Sequence, residues 1–272
     1  MQYGFRDFGQ PAVVLSPSIR LILNGSTLDT ALTSSDFSFQ TLSVSGRGKT
    51  QYSVDTTDIY GMHGSMLNNT TLGNRTIVVR AKVKATSNEA YRRGMESLLW
   101  RGYSRKIHDV QFTDDLNHTY FATVQRIEDE DETSNQQTVE IEFVCTDPYK
   151  YTDIKEVTTT NSTPLELDTS LPIVPEEIAI TFSSASQAKD WTINNIRDGY
   201  RIRYQQSGSA SGTTIKIRQR QNYIGYVDAV NHIGDLNIRY SKFDEFTVRN
   251  GDQLVVTPEP TEIKIKYRGA RL

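Results

Sequence analysis

Apolar and polar residues alternate along much of this chain with the period of a strand that has one buried face. Phe37 to Val44 shows the pattern first: Phe37 and Phe39 alternate with polar neighbours, and Leu42 and Val44 resume it after Gln40-Thr41. Ser18 to Leu23 predicts an earlier strand. Asn24-Gly25 behind it predicts a turn, because both residues tolerate positive φ. Thr76 to Lys84, Val110–Phe112, Tyr120–Ile127 and Thr138–Val144 continue the series. The last two flank Glu128–Gln137, whose acidic run Glu-Asp-Glu-Asp-Glu reads as the solvated tip of a hairpin.

One segment changes period. Thr86 and Glu89 have the spacing of a capping box, in which each side chain satisfies an orphan backbone N–H. Behind them Tyr91, Met95, Leu98 and Leu99 fall at i, i+4, i+7 and i+8. That is one stripe of a helix of about four turns, packed on a sheet. Gly94 inside it costs about 1 kcal/mol relative to alanine, so the helix depends on tertiary contacts.

Residues 45–76, rich in Gly, Ser, Thr and Asn, are too long for an ordinary turn. They predict either a short hairpin or an extended arm over 45–64 that reaches a neighbour. Arg47, Gln51, Tyr52 and Tyr60 are the candidate contact residues of such an arm.

The second half predicts strands at Glu177–Phe182, Trp191–Ile193, Tyr200–Tyr204, Thr214–Arg218, Tyr223–Tyr226, Ile238–Tyr240, Gln253–Val256 and Glu262–Tyr267. Turn signals recur between them, as in Asp198-Gly199 and Asn250-Gly251, and many short strands at this spacing suggest a sandwich. Thr158–Pro164 reads as a polar linker. The expected organisation is mainly β: an N-terminal β-sandwich-like domain with one packed helix over 1–152, and a C-terminal β-sandwich over 153–272.

Composition narrows the function. The 272 residues are 36% hydrophobic and 23% charged, enough apolar material for packed cores. A formal charge of −3 and a pI near 5.9 disfavour a nucleic-acid partner. Cys145, the single cysteine, follows an apolar run and reads as a buried, inert thiol. The N-terminus shows no signal-peptide pattern, and no run reaches the roughly 18 apolar residues of a membrane span. The expectation is folding in a cytosol.

Chemical motifs are weak. Gly46-Arg47-Gly48-Lys49-Thr50 ends like a phosphate loop, but Ser43 stands where the pattern needs its first glycine, and Gln51–Val54 alternates like a strand. His63, His108, His118 and His232 have no metal-ligand spacing. The acidic run lacks the glycine-bearing loop of a calcium site. Lys216, Arg218 and Arg220 share one face of a strand, reading as a solvent-facing side, with a subunit or anionic glycan as the sharper alternative. No nucleophile elbow is present. The expectation is a non-enzyme with no catalytic residue, metal or cofactor.

The order of these pieces resembles the distal tail proteins of long-tailed phages that infect Gram-positive bacteria. An early strand with Asn24-Gly25 precedes Phe37–Val44 and Ser45-Gly46. Tyr60-Gly61 precedes Arg75–Val79. The helix leads to Val110-Gln111-Phe112, and the first half closes on Phe143–Cys145 with Thr146-Asp147-Pro148-Tyr149. Phe246–Gly251 and Ile263–Arg268 fit the end of the family pattern.

The resemblance implies a virion protein of the tail tip, assembled in the host cytoplasm. Its N-terminal domain would form a homo-hexameric ring, and its C-terminal domain a galectin-like sandwich. The ring would join the tail tube protein to the tail-associated hub protein and the receptor-binding protein. DNA would pass through its lumen without sequence-specific binding, and no membrane is implied. Asn231-His232 and Asn237–Arg239 only echo a galectin sugar cluster, and their spacing differs, so direct glycan binding is not expected. The alternatives are a carbohydrate-binding module that attaches a virion or enzyme to host cell-wall glycans, with Trp191 as its aromatic, and a hydrolase with a sequence-distant acid pair.

Overall fold

The computed structural model describes residues 19–103, 106–129, 134–226 and 230–272. Ser18 and most of the acidic tip at 128–132 lie outside them. The chain divides into two compact units, one of residues 1–116 and 120–148, the other of 117–119 and 149–272.

The first unit is built from β1 (Leu21–Leu23), β2 (Ser26–Thr27), the short helix α1 (Leu28–Ala31), β3 (Phe37–Ser45), β4 (Tyr52–Asp58), β5 (Ser65–Leu72), β6 (Arg75–Ala85), α2 (Asn88–Gly102), β7 (His108–Phe112), β8 (Asp115–Asp129) and β9 (Gln136–Cys145). Antiparallel pairing runs β3–β6–β9–β8 on one side and β8–β7–β1–β2 on the other, so the long β8 serves both. Alternate residues of β6 and β9, including Ile77, Val79, Ala81, Val83, Val139 and Phe143, are fully buried between them and α2. Asn24 and Gly25 both have positive φ, as their turn requires.

Several details depart from the sequence reading, each for a local reason. The inward residue after Phe39 is Thr41, not Leu42. Its amide and hydroxyl donate to the two Asp29 carboxylate oxygens at 2.8 and 2.7 Å. The register then slips between Thr41 and Ser43, and this bulge turns Leu42 out to solvent. The N-cap of α2 is Ser87 rather than Thr86: its Oγ accepts from the Ala90 amide at 3.1 Å, while Glu89 pairs with Arg93.

The buried face of α2 is Ala90, Tyr91, Gly94 and Leu98, with Met95 at its margin, and Leu99 is exposed. Gly94 is there because a Cβ would stand 2.2 Å from the Phe37 ring. It permits the close helix–sheet approach, a role that outweighs its propensity cost.

The second unit contains β10 (Lys150–Thr159), β11 (Glu177–Thr181), β12 (Asp190–Asn195), β13 (Arg201–Gln205), β14 (Thr214–Arg218), β15 (Tyr223–Gly225), β16 (Leu254–Thr257) and β17 (Glu262–Arg271). One antiparallel sheet has the order β15–β14–β11–β17–β10 and the other β13–β12–β16. Phe182, Trp191, Tyr204, Tyr226 and Phe246 fill the core.

The expected linker at 158–164 is instead structural. Thr158 and Thr159 end β10, paired with Lys264 and Ile263 of β17. The Asn161 side chain, bonded to the Val256 amide and carbonyl at 2.8 and 2.7 Å, extends the β16 edge like an extra strand residue. Ile238–Tyr240 is a 3₁₀ turn, not a strand, and Ile238 and Tyr240 point outward.

Candidate assembly surfaces

The polar segment after β3 folds as a two-stranded hairpin of β4 and β5 that pairs with no other strand among the described residues. Its register sets Tyr52 opposite Leu72 and Val54 opposite Thr70. The bulge at Asn68 then restores phase, so that Leu67 faces Thr56. Cross-strand partners share a face. Tyr52, Val54, Leu67 and Leu72 therefore line one side with Thr56, Asp58 and Thr70, and Ser53, Asp55, Thr57, Met66 and Asn69 line the other. Asn68 confirms the phase, since its amide donates to Asp55 and Thr57 on the polar side at 3.3 and 2.7 Å. The apolar side is uncovered: Tyr52 is 60% exposed, Val54 58% and Leu67 60%. Tyr60 in the turn is fully exposed, with Ile59 and Met62 beside it.

The root of this hairpin is fixed. Gly46, at φ +91°, lies so close to the Thr76 carbonyl that a Cβ would meet its oxygen at 2.0 Å. Arg47 forms a two-pronged ion pair with Asp114, both bonds at 2.8 Å, and its guanidinium stacks over Phe112 at 4.8 Å. The buried Arg75 donates to the Arg47 carbonyl and, at 2.7 Å, to the Pro148 carbonyl, and lies over the Tyr120 ring. The Gln51 carbonyl accepts from the Gly73 amide at 2.8 Å, closing the hairpin base. Of the four arm residues read from sequence, Arg47 and Gln51 thus sit at the root, Tyr52 on the apolar face and Tyr60 at the tip. Val54, Leu67 and Leu72 were missed. Only pairing register reveals them, although Tyr52 and Val54 already alternate.

The phosphate-loop echo at 46–50 leads into β4, so no helix terminus faces it. No group of three or more His, Cys, Asp or Glu side chains could hold a metal among the described residues. His108 is occupied on both ring nitrogens, by Asn24 at 2.9 Å and the Gly102 carbonyl at 3.3 Å. Cys145 is fully buried, and that burial pushes its thiol up to about 11.

In the second unit the tryptophan named for the glycan-binding alternative is inaccessible. Trp191 is 0% exposed and stacks on Tyr204 with ring centroids 5.2 Å apart. Asn231 is spent on the backbone of Ile224, Ile233 and Asn222. The basic stripe at 216–220 is paired: Arg218 bridges to Glu177 at 2.7 Å and Arg220 to Glu176 at 3.4 Å, while Lys266 stands between Glu177 and Glu156. Along one row Arg218, Glu177, Lys266 and Glu156 alternate in sign across β14, β11, β17 and β10 and so neutralise one another.

Comparison with known proteins gives this hairpin a context. Residues 26–145 match the phage tail protein RIFT-related domain. This segment is similar to that phage tail domain. It contains the hairpin, its root and α2.

The crystal structure of the SPP1 Dit protein, described as a paradigm of the hub adsorption apparatus in phages infecting Gram-positive hosts, superposes with a TM-score of 0.74 at 18% identity. The match covers 92% of this chain and 98% of that one. The baseplate of phage P2 in its activated conformation with calcium matches at a TM-score of 0.51 and 10% identity, covering 92% and 98%. The chain thus has the Dit fold through both units, mainly β and antiparallel. No curated protein matches it by sequence.

Proposed function

We propose that this protein is a structural component of a phage tail tip. Residues 1–152 would form a hexameric ring that connects the tail tube protein to the tail-associated hub and receptor-binding proteins, and 153–272 would project as a galectin-like sandwich. The observation that carries this reading is the 52–72 hairpin inside the phage tail domain, with an uncovered apolar face on a locked root. A ring closes through heterologous contacts, in which one surface of each copy meets a different surface of the next. A projecting hairpin is suited to that role, and Arg47, Gln51, Tyr52 and Tyr60 are its root, face and tip. A structural role also fits a site inventory of paired charges and buried aromatics.

Light scattering across a concentration range tests it, alone and with tail partners. A discrete hexamer is expected, lost when residues 52–72 are replaced by a short glycine linker. A monodisperse monomer that stays monomeric with its tail partners overturns the reading.

A further inference from the structure

Two open clefts of this molecule differ in kind. One, of about 540 Å³ between α2 and β8, is largely apolar, with Leu99, Trp100 and Tyr103 in its wall. The other, of about 290 Å³, lies on the second unit and is lined by Thr192, Arg201, Arg203 and Tyr240.

The fold builds the second cleft from two pieces. Trp191, Ile193, Ile202 and Tyr204 of β12 and β13 point into the core, so Thr192, Arg201 and Arg203, which alternate with them, share the outer face, and Thr192 stands opposite Arg203. The 3₁₀ turn Ile238–Tyr240 lies along the free edge of β13. The Asn237 and Lys242 amides donate to the Arg203 and Arg201 carbonyls at 2.9 and 2.8 Å, and the Ser241 hydroxyl accepts from the Arg203 amide at 2.9 Å. These bonds pin Tyr240 beside Arg201.

The two arginines differ. Arg203 is already engaged, by Asp190 and by the Thr192 hydroxyl at 3.4 Å. Arg201 is held but not neutralised. Its Nε donates to the Tyr240 carbonyl at 3.0 Å and its guanidinium lies over the Tyr240 ring at 5.7 Å, yet it has no carboxylate partner among the described residues. The cleft therefore keeps one net positive charge, on a fork whose two Nη groups are left for a ligand. On the larger sheet, by contrast, Glu177 neutralises Arg218.

We propose that this cleft binds an acidic saccharide, a sugar carrying a phosphate or a carboxylate. A planar guanidinium takes either anion through two parallel hydrogen bonds. The Thr192 hydroxyl can donate to or accept from a sugar hydroxyl, and the Tyr240 side chain, 51% exposed, adds an amphipathic aromatic surface. Arg201 is oriented before the ligand arrives, so little side-chain freedom is lost on binding. The volume stands at the lower edge of the roughly 300–1,000 Å³ of ligand pockets, which suits one sugar unit better than a strand or helix of a protein partner. The site uses none of Trp191, Asn231 or His232. It lies wholly within the second unit and does not depend on the ring reading.

Saturation-transfer NMR on the full chain tests this, with glucose 1-phosphate, glucuronate and glucose titrated separately. At least one acidic sugar is expected to bind about tenfold or more tightly than glucose, and the tighter one identifies the anion. Arg201→Gln is expected to weaken that binding about tenfold or more. Arg80→Gln, which removes an exposed arginine of the first unit, is expected to leave it unchanged. Tyr240→Ala serves as the second variant if Arg201→Gln fails to fold, and is expected to weaken binding as well. Absence of binding by both acidic sugars, equal binding of glucose, or an equal loss in Arg80→Gln overturns the proposal. Inorganic phosphate that displaces the sugars at equal concentration also overturns it, because the cleft then holds an anion alone. If neither acidic sugar binds and Arg201→Gln weakens association with tail proteins in light scattering, the cleft is a protein contact, and the proposal falls while the ring reading stands.

Discussion

The two tryptophans of this chain have opposite surroundings. Trp191 is enclosed by its own unit and stacked on Tyr204, whereas Trp100 lies largely open beside a cleft. The second unit buries its largest aromatics, Trp191, Tyr204, Tyr226 and Phe246, and leaves Ile238 and Tyr240 outward. The first unit leaves a helix face and a hairpin face bare. A surface of that kind is costly in water unless something covers it, which fits the assembly role proposed for the first unit.

Truncating each tryptophan separates the two cases most strongly. Trp191→Ala removes a fully buried side chain and is expected to destabilise the second unit by about 3–5 kcal/mol, read as a lower denaturant midpoint. Trp100→Ala is expected to leave stability within about 0.5 kcal/mol and to shift only the mass distribution in solution.

Next in size is Arg197→Ala. Arg197 bonds the buried Asp252 carboxylate at 2.6 and 3.1 Å, alongside Asn195 at 2.7 Å and the Arg249 amide at 2.9 Å. Losing the charged donor is expected to cost about 1.5–3 kcal/mol.

The same cluster predicts a pH effect. Burial pushes the Asp252 carboxyl up, but the Arg197, Asn195 and Arg249 bonds together hold it below its ordinary value. Its stabilising contribution is therefore full above the unfolded carboxylate pKa of about 3.9. It is lost as pH falls through the lower folded value. Acid titration of unfolding should show this loss in wild type and not in Asp252→Asn.

Gly94→Ala sharpens the comparison inside the first unit. Propensity alone favours alanine by about 1 kcal/mol, yet the Phe37 ring leaves no room. Overpacking of this kind typically costs about 1–3 kcal/mol, so a net loss of stability is expected in thermal melts.

The smallest effect is expected from Tyr52→Ser with Leu67→Ser. Both side chains are exposed, so unfolding should move by no more than about 0.5 kcal/mol, while light scattering is expected to show loss of the proposed hexamer.

Strands whose inward residues are all apolar were legible without coordinates: Thr214–Arg218 alternates Ile215 and Ile217 with polar neighbours, and the strand has those bounds. Strands held by pairing rather than burial were not. The run from Lys150 to Thr159 is mostly polar, and its place depends on Glu262–Arg271, more than a hundred residues later. The Leu42 bulge and the Asn68 bulge escaped for a related reason, because register is set across strands and not along one. Thr86 and Ser87 are both competent caps, and the position of α2 against Phe37 and Gln137 decides between them. Of the candidate surface, Tyr52 and Tyr60 were visible as aromatics in a polar stretch. The α2–β8 cleft was not, since Leu99 fits the same helical stripe as Leu98 and only packing shows which one turns outward.

The locked hairpin root also has a kinetic consequence. A free two-stranded ribbon is marginal in water, but here Gly46 and Arg75 fasten the entry side and the Gln51–Gly73 bond closes the base. A copy that encounters it meets strands already paired and aimed, with few torsions left to freeze on contact. Docking then requires collision and orientation but no folding step. Its association rate should lie within the ordinary protein range of about 10⁵–10⁷ M⁻¹s⁻¹ and scale with subunit concentration rather than with denaturant history.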